Sequence, residues 1–283
     1  LVGLVGSEMC IRDRDIMFVN QIPFFVTISQ FIKFGTVQYL PNRQHRTIME
    51  SIKRVKKIYA LRGFVVTNAK ADIEFKGLVE DLSEMQVALN IAAEDEHVPE
   101  IERYIRTVKE RVRCGWNFLP FNRIPVRMII EMVIAGVMWL NTFPPKGGVS
   151  SKLSPRMLIT GRDVDFNIHC QAELGAYVQT HEKGDNTMKS RTIGAIALRP
   201  SGNVQGGYFF LSLVTGRRLF RRKWNELPMP AEVIKQIHDI ASKAKAPRGL
   251  TFAWKDGNEI DPDDDDYASD DDSYYDPNKD SED

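Results

Sequence analysis

The sequence has only three cysteines in 283 residues, and none are closely spaced. That excludes a disulfide scaffold and any Cys-x-x-Cys zinc ribbon. No uncharged apolar run reaches the ~18 residues of a membrane span. The best candidate, Met128 to Leu140, is interrupted by Glu131, so no membrane partner is expected. P-loop, GxGxxG, GxSxG and HExxH patterns are missing. His45, His97, His169, His181 and His238 do not cluster at zinc spacing and read as surface or hydrogen-bonded residues. Cys114 and Cys170 read as small buried hydrophobes.

What is present is apolar material and an uneven charge. Hydrophobic residues make up 43% and aromatics 10%, enough for one large domain or two modest ones. The net charge of zero hides an asymmetry. Residues 256–283 hold 14 acids against Lys279 and sum to −13, which leaves +13 on residues 15–255. A body this basic suits an anionic partner, nucleic acid before membrane; general surface solubility is the plain alternative. The acidic end, 248–283, cannot bury apolar surface and is expected to be disordered.

The first 14 residues, LVGLVGSEMCIRDR, look like translated sequencing-adapter sequence and are expected to lie outside the fold. They also fail as a signal peptide, with no basic start and an apolar stretch broken by Gly3, Gly6 and Ser7. The authentic chain is then expected to begin near Asp15, with its natural start missing.

From there DIMFVN, PFFVTIS and FGTVQYL read as three short strands, with turns at Gln21-Ile22-Pro23 and around Lys33. A helix is predicted over 47–62, with Ile48, Ile52, Val55 and Tyr59 as its apolar stripe and Lys53, Arg54, Lys56 and Lys57 elsewhere on it. FVVTNA and VALNIAA read as strands flanking a short helix over 78–85. Two longer helices follow, over 99–112 and 126–141. Together these predict a mixed α/β layered core over 15–145. A linker at 146–170 precedes a small all-β module at 171–224, sheet or barrel, with glycine-bearing turns. An amphipathic helix lies within 225–247.

The chemistry-bearing residues are carboxylates. Asp15 opens the first predicted strand, Asp72 follows FVVTNA, and Glu102 sits in the first turn of the 99–112 helix. Acids at two strand ends and a helix start can converge on divalent cations and form a clamp for in-line phosphoryl transfer. Each also has an ordinary reading, as a helix N-terminal acid or a turn residue.

The series Asp15, Asp72, Glu102 followed by IERYIRTVKERVR resembles the integrase of copia-type LTR retrotransposons. There the third acid opens a helix written E-R-x-x-R-T, matched by Glu102, Arg103, Arg106 and Thr107. DIMFVN and Asp72-Ile73-Glu74-Phe75 resemble the segments of the first and second aspartates. MWLNTFPPK, SPRMLITGR, GAYV, GAIALRP, QGGYFF and LVTGRR resemble passages further on. The resemblance covers about residues 15–240 and is strongest to elements of diatoms and other algae. The chain departs from the pattern in three places. Glu102 follows Asp72 by only 30 residues, the glycine pair after the second aspartate is missing, and Glu100 rivals Glu102 as third acid.

The resemblance implies a ribonuclease-H-like fold, a mixed five-stranded sheet with flanking helices, followed by the small all-β module. It implies trimming of element DNA ends and strand transfer into target duplex, with Mg²⁺ or Mn²⁺ held by Asp15, Asp72 and Glu102. The implied partners are DNA, further copies of the chain and a reverse transcriptase in the same polyprotein, and the integration step takes place in the nucleus. The second reading is a decayed remnant that binds DNA without catalysis.

Two basic groups could meet that DNA. Arg106, Lys109 and Arg113 lie along the face of Glu102, where a solvated helix face is the alternative. Arg217, Arg218, Arg221, Arg222 and Lys223 interleave with Phe220 and Trp224. As one strand they would put Arg218, Phe220, Arg222 and Trp224 on a single face, suited to backbone contact and stacking. A surface strand with both aromatics in a core is the alternative.

Overall fold

A computed structural model describes residues 8–71, 73–91, 99–182, 188 and 190–253. β-Branched and aromatic residues build the first three strands, β1 (Glu8–Val19), β2 (Ile22–Ser29) and β3 (Gly35–Tyr39). The β1–β2 turn is Asn20-Gln21, both left-handed at φ 48° and 62°, as a tight hairpin between twisted strands requires. Ile22 and Pro23, expected in that turn, instead pair with Val19 and Phe18.

α1 (His45–Ala60) buries its predicted stripe on one face of the sheet, and Gly63, at φ 75°, ends the segment. β4 (Val65–Ala71), a 3-10 segment over Ile73–Leu78, α2 (Val79–Glu84) and β5 (Ala88–Ile91) follow. The opposite face is covered by α3 (Pro99–Asn117) and α4 (Val126–Leu140). Strands run in the order β3-β2-β1-β4-β5, and β2 alone opposes the other four in direction. The domain is a mixed α/β sheet between helices, as the pattern predicted.

Three boundaries differ from expectation. β1 begins at Glu8, and Glu8–Ile11 pair in parallel with Val65–Ala69 of β4, so part of the 1–14 segment belongs to the sheet. Asp15 therefore lies inside a strand and does not open one. At the other end, β11 (Phe252–Ala253) is a sixth strand, antiparallel to Phe18 and Val19, within the stretch expected to be disordered. Its cause is local. The Asn20 amide accepts from Thr251 N–H at 2.5 Å and donates to Gly249 O at 3.1 Å, and Phe252 is buried in the core beneath α3. The rest of the acidic stretch, 254–283, falls outside the described residues. The segment expected to be a linker holds two short helices, α5 (Pro155–Thr160) and α6 (Phe166–His169). α5 is capped by Ser154, whose hydroxyl accepts from Met157 N–H at 3.1 Å, and ends on left-handed Gly161.

α4 is tied to the edge strand by one side chain. Asn141 accepts from Gly35 N–H at 2.9 Å and donates to Gly35 O at 2.7 Å. Any Cβ at position 35 would run into the Tyr104 ring, so glycine is required there for room.

The second unit is antiparallel: β6 (Tyr177–His181), β7 (Thr192–Pro200), β8 (Tyr208–Ser212), β9 (Arg218–Arg221) and β10 (Trp224–Glu226), in the order β10-β6-β7-β8-β9. β9 and β10 lie at opposite edges, yet only Arg222 and Lys223 separate them, so the sheet curls back on itself. Inside the curl Trp224 packs on Tyr208 and Phe210, with ring centroids 4.9 and 5.2 Å apart. The other face presents Ile196, Leu198, Leu211 and Leu213 to α4 and to α7 (Ala231–Lys243).

Candidate active site and basic surfaces

Alternation along β1 puts Asp15 on the side of Met17, facing α3, and Arg14 on the side of Ile16, facing α1. Asp15 is 8% exposed, and its Oδ1 accepts from Ile16 N–H at 2.6 Å. The group that feels it from α3 is Lys109, itself only 4% exposed. Burial lowers the Lys109 ammonium to about 8; the Asp15 charge pulls it back up, and Arg113 pushes it further down. Lys109 and Arg113 both lie over the Phe252 ring, at 5.9 and 5.2 Å. This corrects the placement of Lys109 on a DNA-facing surface: the core face of α3 buries it against β1 and β11. Arg106 and Arg113 are half-buried.

Glu102 is exposed, two helical turns before Lys109. Glu100 is half-buried and ion-paired with Lys33 of the β2–β3 turn. Asp72 lies outside the described residues; β4 ends at Ala71, immediately before it. Among the described residues, no three His, Cys, Asp or Glu side chains gather where they could hold a metal ion. What the structure does place in the field of Asp15 is a buried amine, Lys109, whose pKa burial lowers to about 8.

No family model matches this chain, and no curated protein does. Among solved structures it is similar to the catalytic core domain of BIV integrase, at 12% identity and TM-score 0.39, over 55% of this chain and 95% of that one. It is also similar to a simian T-cell lymphotropic virus intasome in complex with PP2A regulatory subunit B56 gamma, at 9% identity and TM-score 0.36, over 80% of this chain and 83% of that one. Neither likeness fixes a family or an activity.

The second basic group divides in two. Arg217, Arg222 and Lys223 are exposed, and Arg222 donates to Gln205. Arg221 forks onto both oxygens of Glu182 at 2.6 and 2.7 Å and is paired one to one, whereas Arg218 bonds Glu131 at 2.6 Å and shares that acid with Arg199. Arg218 and Phe220 do share a face, over Phe209. Trp224 does not join them, because the strand breaks at Arg222-Lys223 and the ring turns into the curl. Cys114 and Cys170, expected to be buried, are exposed.

Sequence reasoning missed Glu131 and Arg199. Glu131 is fully buried in α4 and takes Arg199 Nε at 2.7 Å on one oxygen and Arg218 on the other. Both guanidiniums stack on Phe209 at 4.6 Å. Burial lowers the Arg199 pKa, with the Glu131 charge opposing that fall. The available signal was a lone acid within the apolar run 128–140, a charge whose burial calls for a cation.

Proposed function

We propose that this chain is the integrase segment of a copia-type retrotransposon polyprotein, a ribonuclease-H-like core with a basic β module acting on DNA. One observation carries the reading: a buried acid, Asp15, sits inside the middle strand of a mixed sheet whose neighbour β4 ends immediately before Asp72. The +13 body and the exposed Arg217, Arg222 and Lys223 suit the dense line of phosphates on a duplex. In this reading the substrates are element ends and target duplex, the acids are Asp15, Asp72 and Glu102, and the metal is Mg²⁺ or Mn²⁺. Copies of the chain and a reverse transcriptase are its partners.

The described residues do not by themselves fit a two-metal centre. The charge of Asp15 already acts on a buried amine, Lys109, and Glu102 is exposed. That observation favours the second reading, a remnant that binds DNA without cutting it, because Lys109 offsets the negative charge that would attract a metal ion.

Duplex binding and Mn²⁺-dependent strand transfer, measured on the whole chain, separate the readings. Both require duplex binding that weakens steeply with salt. The first adds strand transfer that Asp72→Asn and Glu102→Gln abolish and Glu100→Gln leaves nearly intact. The second gives binding with no transfer. A chain that does not bind duplex at low salt overturns both.

A further inference from the structure

The outer face of α1 carries a basic stripe that none of the chemistry above uses. Arg46, Glu50, Lys53, Arg54 and Lys57 are spaced i, i+4, i+7, i+8 and i+11, which puts them within about 100° of one another around the helix axis. All five are exposed. The stripe is about 16 Å long at the ordinary helical rise. Exposed Arg43 precedes it, and exposed Arg62 follows it. Glu50 is its only acid, 3.4 Å from Arg46 and itself half in solvent. Among the described residues Lys53, Arg54 and Lys57 are in no ion pair. Asp81 of α2 is taken by His45 on the helix flank.

The chain's own anion starts beside this stripe. The last described residue, Ala253, pairs with Phe18, and the Arg43 guanidinium lies over the Phe18 ring at 5.8 Å. α1 begins at that end of the sheet and runs back along it, because β3 ends beside the β1 terminus and β4 restarts at Glu8. The ten residues from Ala253 to Asp263 span up to about 33 Å when extended, so Asp263–Asp266 can reach any part of the stripe. Charge, position and length agree on one occupant.

We propose that residues 256–283 dock along the outer face of α1, held by Arg43, Arg46, Lys53, Arg54 and Lys57. The contact is electrostatic and tolerant of register, since repeated aspartates meet a row of bases. It lies on the face of the sheet opposite Asp15 and keeps the −13 segment away from α3. The inference does not rest on the integrase reading.

Zero-length carbodiimide coupling on the full chain at low salt, followed by peptide mass spectrometry, tests it. The expected result is that Lys53 and Lys57 couple to acids of 256–283 within single chains, at least about fivefold more than Lys223, Lys235 or Lys243. At 0.5 M salt, where screening acts within a few ångströms, that coupling should fall about fivefold. Arg46→Gln with Arg54→Gln leaves both reactive lysines in place, so a severalfold loss of coupling is expected only if the bases act together. Asp263–Asp266→Asn should lower it similarly. Coupling spread evenly over all exposed lysines, coupling only between chains, or coupling unmoved by the arginine changes would each overturn the proposal.

Discussion

Glu131 and Arg14 are both charged and both buried, and they differ in what faces them. Glu131 lies between the α/β core and the β module with a guanidinium on each oxygen. Arg14 lies under α1 in surroundings that are mostly apolar, with Thr27 and Lys56 as the polar neighbours, and among the described residues its Nε has no hydrogen-bond partner. Burial alone lowers its pKa to about 10. The same desolvation cost is offset in one place and uncompensated in the other. Buried charge joins two units where counter-charges converge and strains a core where they do not. Lys109 is the intermediate case, buried but within the field of Asp15.

Breaking the Glu131 cluster should have the largest effect. Glu131→Ala leaves two guanidiniums facing each other and should cost about 3–5 kcal/mol in urea unfolding. Replacing all three charges together, Glu131→Met with Arg199→Met and Arg218→Leu, should recover most of that loss. If the triple change costs as much as the single one, ion pairing is not what joins the units. Arg14→Leu should act in the opposite direction and raise stability by about 1–3 kcal/mol, since it removes an uncompensated buried charge. A lower unfolding midpoint would show that Arg14 is compensated in a way its surroundings do not reveal.

Lys109 sharpens the comparison through pH. Its folded pKa, about 8, lies below its ordinary 10.5, so between those values the unfolded chain binds more protons. Stability from this group should therefore rise as pH increases above 8, by about 2 kcal/mol at pH 9.5. Lys109→Met should flatten that rise, and an unchanged profile in the variant would assign it to another group. The smallest effect belongs to the surface. Changing Arg217, Arg222 and Lys223 to Ala should reduce the salt slope of duplex binding by about 2–3, while Arg221→Ala should barely move it. Equal shifts for both variants would mean that the Glu182 pair does not hold Arg221 back.

Periodicity made α1, α3, α4 and α7 legible, because each buries a stripe built on Ile and Val at helical spacing. The early strands were legible from their β-branched and aromatic runs. What could not be read is what depends on partners distant in sequence. Glu131 looked like a flaw in an apolar run because its cations lie 68 and 87 residues away. Lys109 looked like a surface base because the spacing that places it beside Glu102 does not reveal that β1 and β11 cover it. β11 itself is two residues long and adjoins an acidic stretch, so composition hid it. The candidate site was legible as residue types, but the burial of Lys109 within the field of Asp15 was not.

Asn141 has a further consequence for how the molecule meets its neighbours. β3 is the outermost strand of its sheet, and a bare edge invites another chain to add on by backbone pairing. The Asn141 side chain presents an amide to Gly35 in the two-bond manner of an adjacent peptide group and so occupies that backbone position. One carboxamide thus acts as a plug against strand addition at the start of β3. Its removal would leave the buried Gly35 N–H and C=O without these partners, which costs stability and at the same time reopens that stretch of edge to association on concentration.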